Sequence, residues 1–414
     1  MSELVVTGLG VTSAVGQGRL AFSEALMAGR HRFDVMRRPG RQWPLTAGTG
    51  DGAEEASTAF LGAEIPDLEL PGHLPAQALR TASLSARVAV ATLHEAWLDA
   101  GLDALDPLRI GLVVGGSNVQ QREIALVQAT QRFRFLRPTY GLSFMDSDIC
   151  GLCTELFGIR AFAHTVGGAS ASGQVAVIQA IEAVRSGNVD VCIALGALMD
   201  LSSWECQAFR ALGAMGSDRH AREPERACRP FDQARDGFIF GECCGAIVVE
   251  SAVSASRRGV EAQALLTGWA MQVDGNRQPN PSLAGEMAVI RGALAKARWQ
   301  PGQVDYVKPH GSGSVVGDET ELQALQECGL GGAHVNSTKS IIGHGLSAAG
   351  AVEIAAVVLQ MKLGRLHPSR NLEHPISSAF EWVRERAIEH RVERALSLSM
   401  GFGGVNTALC LQRI

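Results

Sequence analysis

The sequence predicts a layered α/β fold, with helices on both faces of largely parallel sheets, and three observations carry the prediction. Short runs rich in apolar and β-branched residues (Leu4–Thr7, Ile110–Val114, Val189–Leu195 and Ala246–Glu250) alternate with long alanine-rich stretches, the strand-then-helix rhythm of α/β chains. Glycines follow most of these runs and mark strand-to-helix turns. Two pairs of segments also recur in the same order. Leu4-Val5-Val6-Thr7-Gly8-Leu9 pairs with Ala264-Leu265-Leu266-Thr267-Gly268-Trp269, and Ser170-Ala171-Ser172-Gly173-Gln174-Val175 with Ser347-Ala348-Ala349-Gly350-Ala351-Val352.

Each element of that repeat has a physical reading. In the second pair small residues open a long helix, as close packing of a buried helix start against another backbone requires. Two pairs in register point to a duplicated chain, with halves 1–256 and 257–414. They meet near residues 251 to 262, where Ser-, Arg- and Gly-rich sequence reads as a surface connection.

Composition narrows the function classes. The 414 residues are 46% apolar and only 5% aromatic, a balance of tightly packed α/β enzymes rather than of disordered or fibrous chains. A net charge of −5 is small for this length, so no global field argues for a nucleic acid or an anionic membrane. Nine cysteines without a disulfide rhythm suit a reducing cytoplasm. Cys150 and Cys153 form one CxxC with no second pair beside it, which reads as core or loop filling rather than a metal site. The N-terminus has no basic leader, and no uninterrupted apolar run approaches the ~20 residues that span a bilayer. The expectation is a soluble cytoplasmic enzyme that binds no metal.

Three segments place reactive side chains among glycines: Val166-Gly167-Gly168-Ala169-Ser170-Ala171-Ser172-Gly173, Lys308-Pro309-His310-Gly311-Ser312-Gly313-Ser314, and Ser337-Thr338-Lys339-Ser340-Ile341-Ile342-Gly343-His344-Gly345. Such turns let a ligand approach the backbone. The helix start after Ser170 offers free amide donors to a developing anion.

With these segments the chain resembles a β-ketoacyl-acyl-carrier-protein synthase of the elongating type, from Val5-Val6-Thr7-Gly8-Leu9-Gly10 to Gly401-Phe402-Gly403-Gly404-Val405-Asn406. The family's His-Gly-Thr-Gly-Thr-x-x-Gly-Asp segment appears as His310 to Asp318, its Lys-x-x-x-Gly-His segment as Lys339 to His344, and its Arg-Pro-Phe-Asp-x-x-Arg-Asp-Gly-Phe segment as Arg229 to Phe238. The resemblance implies the thiolase fold, with duplicated halves in an α-β-α-β-α core.

One position departs. Where these synthases carry Cys-x-Ser-Gly, this chain has Ser170-Ala171-Ser172-Gly173. A cysteine thiol with a lowered pKa at a helix start readily holds an acyl chain as a thioester. A serine hydroxyl without a base stays neutral, and its oxygen ester is a poorer acyl donor, so condensation should be weak or absent. His310 and His344 do not depend on the thiol. By resemblance they hydrogen-bond the thioester carbonyl oxygen of a malonyl group while carbon dioxide leaves, and removing one such donor typically costs ~3 to 4 kcal/mol.

The resemblance assigns further roles. Lys339 would orient the histidines, held by Glu321. Phe402 would be the gating phenylalanine, its amide joining that of Ser170 in an oxyanion hole. Phe231 would form the apolar wall near the departing carboxylate. Ser312 and Ser314 replace threonines that contact the phosphopantetheine arm, and each keeps a hydroxyl. Asp146 and Asp148 fall where the family lines its acyl pocket, which disfavours long apolar chains if they point inward. Among Arg80, Arg87, Arg132, Arg134, Arg137 and Arg210, Arg210 is the best candidate for docking an acidic carrier protein.

The serine-for-cysteine change resembles the decarboxylating ketosynthases of polyketide β-branching cassettes, which turn malonyl-carrier protein into acetyl-carrier protein for a hydroxymethylglutaryl-synthase-like enzyme. That implies no bound cofactor, a substrate carried on the phosphopantetheine of an acyl carrier protein, and a homodimer. Two alternatives stay open: a non-catalytic chain-length-factor-like partner subunit, and a serine-dependent acyltransferase or thioester hydrolase.

Overall fold

A computed structural model describes residues 3–45, 56–131 and 133–414; Arg132 lies outside them. The central sheet has twelve strands among the described residues, and ten of them, five from each half, build its main span. The first half supplies β1 (Leu4–Ser13), β2 (Ile110–Gly115), β3 (Phe162–Val166), β4 (Val191–Gly196) and β5 (Cys243–Ser251). The second supplies β6 (Ala264–Val273), β7 (Tyr306–Lys308), β8 (His334–Val335), β9 (Arg394–Gly401) and β10 (Val405–Gln412). The first five lie in the order β3-β2-β4-β5-β1 and the second five in the order β8-β7-β9-β10-β6. Position by position these are the same order. Pairing of Val5 with Leu265 and Val6 with Ala264 joins the two sets edge to edge.

The pairing senses repeat as well. In each half two pairings are parallel (β2 with β3 and β4; β7 with β8 and β9) and two antiparallel (β5 with β4 and β1; β10 with β9 and β6). The sheet is therefore mixed, not largely parallel as the strand-then-helix rhythm suggests. The departure lies in the last strand of each half, which turns back to pair with the first. A bulge interrupts β1 between Val6 and Gly8, and another interrupts β6 between Leu266 and Gly268. These are equivalent places in the repeated Thr-Gly pairs.

Helices cover this sheet in layers. The outer ones are α1 (Leu84–Asp99) on β1 and β5, and α3 (Leu283–Ala297) on β6 and β10. Between the halves lie α2 (Ser172–Arg185) and, after α4 (Val315–Glu327) and the single turn α5 (Lys339–Ile342), the helix α6 (Ala349–Leu363). α2 and α6 cross where their first turns touch: a Cβ on Gly173 would lie 2.8 Å from the Ala351 nitrogen, and one on Gly350 would lie 2.6 Å from the Gln174 nitrogen. Only glycine lets the two backbones come so close, which is why both copies of the repeat carry it.

α6 is apolar on every side and is buried from Ala349 through Met361, as expected of a helix enclosed by core. The stretch Leu346–Leu363 is the one helix among the described residues long and apolar enough to cross a membrane by length and composition, and 89% of it is buried inside the fold.

Candidate active site

Four chain turns converge on one cavity of about 980 Å³, which is open to solvent. The turn Ala169–Ala171, between β3 and α2, brings Ser170. The segment after β7 brings His310, Ser312 and Ser314, the segment after α5 brings His344, and the β9–β10 turn brings Gly401 and Phe402. Met199, Phe209 and Phe238 supply apolar wall.

Ser170 stands on a strained turn. Ala169 before it has φ +47°, a left-handed conformation that costs a non-glycine residue about 1 kcal/mol or more. The β9–β10 turn sits directly on this segment: a Cβ on Gly401 would fall 2.1 Å from the Gly168 carbonyl oxygen and 3.1 Å from the Ala171 nitrogen. Phe402 is thereby held beside Ser170. Its ring centroid is 6.2 Å from that of Phe209. Among the described residues, no side chain hydrogen-bonds Ser170 Oγ, while His310 and His344 line the same cavity.

The two histidine rings lie edge to face, 5.3 Å between centroids at 80°. Phe238 meets the other side of His344 at 5.2 Å and 86°. His344 Nδ1 accepts from the Leu346 amide at 3.2 Å, which puts its proton on Nε2. Burial, with Lys339 and Lys308 adding positive charge, holds both histidines well below the usual histidine range. At neutral pH they are uncharged N–H donors, preorganised to act on a developing oxyanion.

The backbone of His310 is fixed from below. Glu321, on α4, accepts from the His310 amide at 2.5 Å and the Gly311 amide at 2.8 Å. Lys339 Nζ donates to the His310 carbonyl oxygen and, at 2.7 Å, to Glu353 Oε1 on α6. Lys308 pairs with the same carboxylate at 2.8 Å. The acid that holds Lys339 is therefore Glu353, and the expected Glu321–Lys339 pair is corrected. Glu321 is spent on two backbone donors, and Glu353 is the carboxylate that α6 brings under both lysines. Lys339 itself is 1% exposed and does not line the cavity; its link to His310 runs through that residue's carbonyl oxygen.

Other expected roles are also relocated. Phe231 is fully buried, packs on Trp382 with centroids 5.2 Å apart, and lines no part of the cavity. Its φ of +64° turns it away behind Gly311, and Phe238, seven residues on in the same motif, forms the wall. Asp146 accepts from the Asn118 amide at 3.0 Å, and Asp148 lies in the first turn of the helix Ser147–Phe157. Neither lines the cavity. Ser312 and Ser314 do line it. Ser314 also caps α4 by accepting from the Gly317 amide at 3.3 Å, and Ser312 accepts from the Ser314 amide at 3.2 Å.

Arg210 is only 21% exposed at its side chain and lies 3.7 Å from Asp218, with its guanidinium 4.4 Å over the Phe60 ring. Arg80, Arg134 and Arg137 are exposed, and Arg87 is half-buried. Cys150 and Cys153 are buried free thiols. Among the described residues no group of His, Cys, Asp or Glu is placed to hold a metal ion.

Sequence reasoning missed Lys308, Glu353, Asp318 and Glu286. Asp318 accepts from the Phe231 amide at 2.7 Å and the Gly313 amide at 3.0 Å, which pins the histidine loop, and its place in the Gly-Asp motif was the available signal. Lys308 had a weaker one, two residues before His310. Glu353 follows the repeated Ser347 segment without a motif of its own, and Glu286 has none.

A serine turn, a pair of neutral histidines on a carboxylate-and-lysine base, and a Gly-Phe-Gly-Gly turn on a duplicated five-strand fold define a ketosynthase-type active site. The chain belongs to the β-ketoacyl synthase family: the family's N-terminal domain matches residues 1–255 and its C-terminal domain residues 263–373. Its fold is the thiolase fold of that family; the β-ketoacyl synthase of Burkholderia phymatum STM815 superposes with a TM-score of 0.87 at 26% identity, covering all of both chains.

Among curated relatives, the polyketide biosynthesis malonyl-ACP decarboxylase PksF of Bacillus subtilis (strain 168) is 58% identical over 100% of this chain and 97% of its own. The tetracenomycin polyketide synthase ketoacyl synthase alpha subunit of Streptomyces glaucescens is 31% identical over 99% of this chain and 97% of its own.

Proposed function

We propose that this chain decarboxylates malonyl-acyl carrier protein to acetyl-acyl carrier protein for polyketide β-branching. The observation that carries the reading is the pairing of two intact, neutral histidine donors with a serine in place of the cysteine nucleophile, its hydroxyl hydrogen-bonded to no base. One half of ketosynthase chemistry keeps its machinery while the other lacks its nucleophile. The 58% identity to a malonyl-ACP decarboxylase supports it independently.

The phosphopantetheine arm enters past Ser312 and Ser314, and the thioester oxygen sits against His310 and His344. As the bond to the carboxylate breaks, negative charge moves onto that oxygen. N–H donors already aimed there stabilise it without reorganisation. The apolar wall of Phe209, Phe238 and Met199 favours loss of charge as neutral carbon dioxide. A proton on the enolate carbon completes acetyl formation. No bound cofactor takes part, and acylation of Ser170 is not required.

The same reading includes several partners and boundaries. The repeated strand order supports a division into halves 1–256 and 257–414. A homodimer is supported by β3, which lies at the free edge of the sheet, and by Phe133, Phe135 and Phe144, exposed nearby in sequence at 93%, 74% and 54%. Arg210 would meet the carrier protein, a hydroxymethylglutaryl-synthase-like enzyme would consume the product, and the cytoplasm is the proposed location.

The test is to incubate the protein with malonyl-carrier protein and follow the intact carrier by mass spectrometry. Conversion to acetyl-carrier protein over many turnovers is expected. Release of free carrier protein would establish hydrolysis instead, and an unchanged carrier would contradict an enzymatic role.

A further inference from the structure

We propose that Glu286, resting on the decarboxylase reading above, is the acid that protonates the acetyl enolate after carbon dioxide leaves. Glu286 stands in the first turn of α3 and lines the same cavity as Ser170, His310 and His344. The residue is 1% exposed, and its Oε2 is buried without a hydrogen-bond partner. A buried carboxylate left unpaired is costly, so such a group keeps its proton.

Hydrogen bonds separate Glu286 from the other acids around it. Glu321 and Asp318 on α4 each accept two backbone N–H bonds, which oppose the burial that raises them to about 7 and about 6, so both ionise below Glu286. Asp274, just after β6, accepts from Asn406 at 2.8 Å. These three carboxylates face Glu286 and disfavour a fourth negative charge. Nearby cations are committed elsewhere: Lys308 and Lys339 to Glu353, Arg235 to Glu319 and Asp318. Burial and the facing carboxylates push Glu286 up to about 9.

The histidines cannot easily fill this role. Each is a neutral imidazole whose N–H holds the oxyanion, and giving up that proton would leave an imidazolate. Glu286 has a proton to give. In the step, the C–C bond to the carboxylate breaks and its electron pair passes into the enolate as carbon dioxide departs. The Glu286 O–H bond then breaks and a C–H bond forms at the enolate carbon, directly or through one water. The resulting carboxylate, pressed by Glu321, Asp274 and Asp318, regains a proton from solvent.

The experiment compares the full-length protein with Glu286→Gln and Glu286→Asp on malonyl-carrier protein from pH 6 to about 10, in H2O and D2O. For the unaltered protein, kcat should fall on the alkaline side as Glu286 ionises, with a midpoint near 9. Glu286→Gln should lower kcat by at least about 100-fold with KM little changed, the usual worth of a general acid, and should abolish the alkaline limb. Glu286→Asp should recover part of the rate and move the midpoint. A Glu286→Gln protein with unchanged kcat and profile overturns the assignment while leaving the decarboxylase reading intact. If Glu286→Gln does not fold, a Glu286→Asp midpoint that stays in place overturns it equally. If the unaltered protein makes no acetyl-carrier protein, the underlying reading fails first.

Discussion

The turn before α2 and the turn before α6 are the same device used twice. Ala169 and Leu346 both adopt positive φ, +47° and +50°, each followed by a serine and a helix that crosses its counterpart at a glycine. Yet Ser170 looks into the cavity with no partner, whereas Ser347 is 2% exposed and donates to the Ala197 carbonyl oxygen at 2.8 Å. The fold supplies an elbow in each half, and what covers it decides whether it becomes a site. The second elbow lies under the first half's sheet and is core. The first lies under the Gly401–Phe402 turn, which leaves room for a ligand.

The largest effect expected from breaking this contrast falls on the carboxylate beneath the histidine side. Glu353→Ala leaves Lys308 and Lys339 buried and unpaired, which should cost about 3 to 5 kcal/mol of stability, read as a lowered denaturant midpoint. Next, His344→Ala removes an oxyanion donor and should lower kcat for acetyl-carrier protein formation by about 10²- to 10³-fold, with the melting temperature little changed. Ser347→Ala should cost only about 1 kcal/mol, the worth of a neutral buried hydrogen bond, and leave the cavity intact, as carrier-protein turnover would check.

The pH responses follow from signs. The ordinary histidine value is 6.5 and both site histidines lie well below it, so they stay uncharged as pH falls through 6.5 and kcat should not drop there. Their contribution to stability has the opposite consequence. Unfolded histidines take up protons below 6.5 and folded ones do not, so stability should fall with acidification from that point. For Glu286 the folded value is raised from 4.5 to about 9, so its burial costs nothing below 4.5 and progressively more as pH rises toward 9. Glu286→Gln should accordingly raise the melting temperature more at pH 8 than at pH 5.

Much of this was legible in the residues. The two repeated segments mark the strands, bulges and crossing glycines that the halves share, because close backbone packing leaves few residue choices. Ser170, His310, His344 and Phe402 are legible for a similar reason: glycine-framed turns carry them. Glu353 and Glu286 were not, because each is a single carboxylate within an apolar helix, where it has no local signature; Lys308 had only its place two residues before His310. Phe231 against Phe238 was undecidable from the motif alone, since a positive φ at Phe231 chooses between them. The mixed sheet was hidden because strand direction is set by pairing partners far apart in sequence.

The central claim is that decarboxylation runs on the histidines without the serine. Its most direct measurement is the rate of acetyl-carrier protein formation by Ser170→Ala beside His310→Ala, followed by intact-protein mass spectrometry. The account predicts that Ser170→Ala keeps most of the turnover and His310→Ala loses it. Complete loss in Ser170→Ala, with His310→Ala still active, would contradict it.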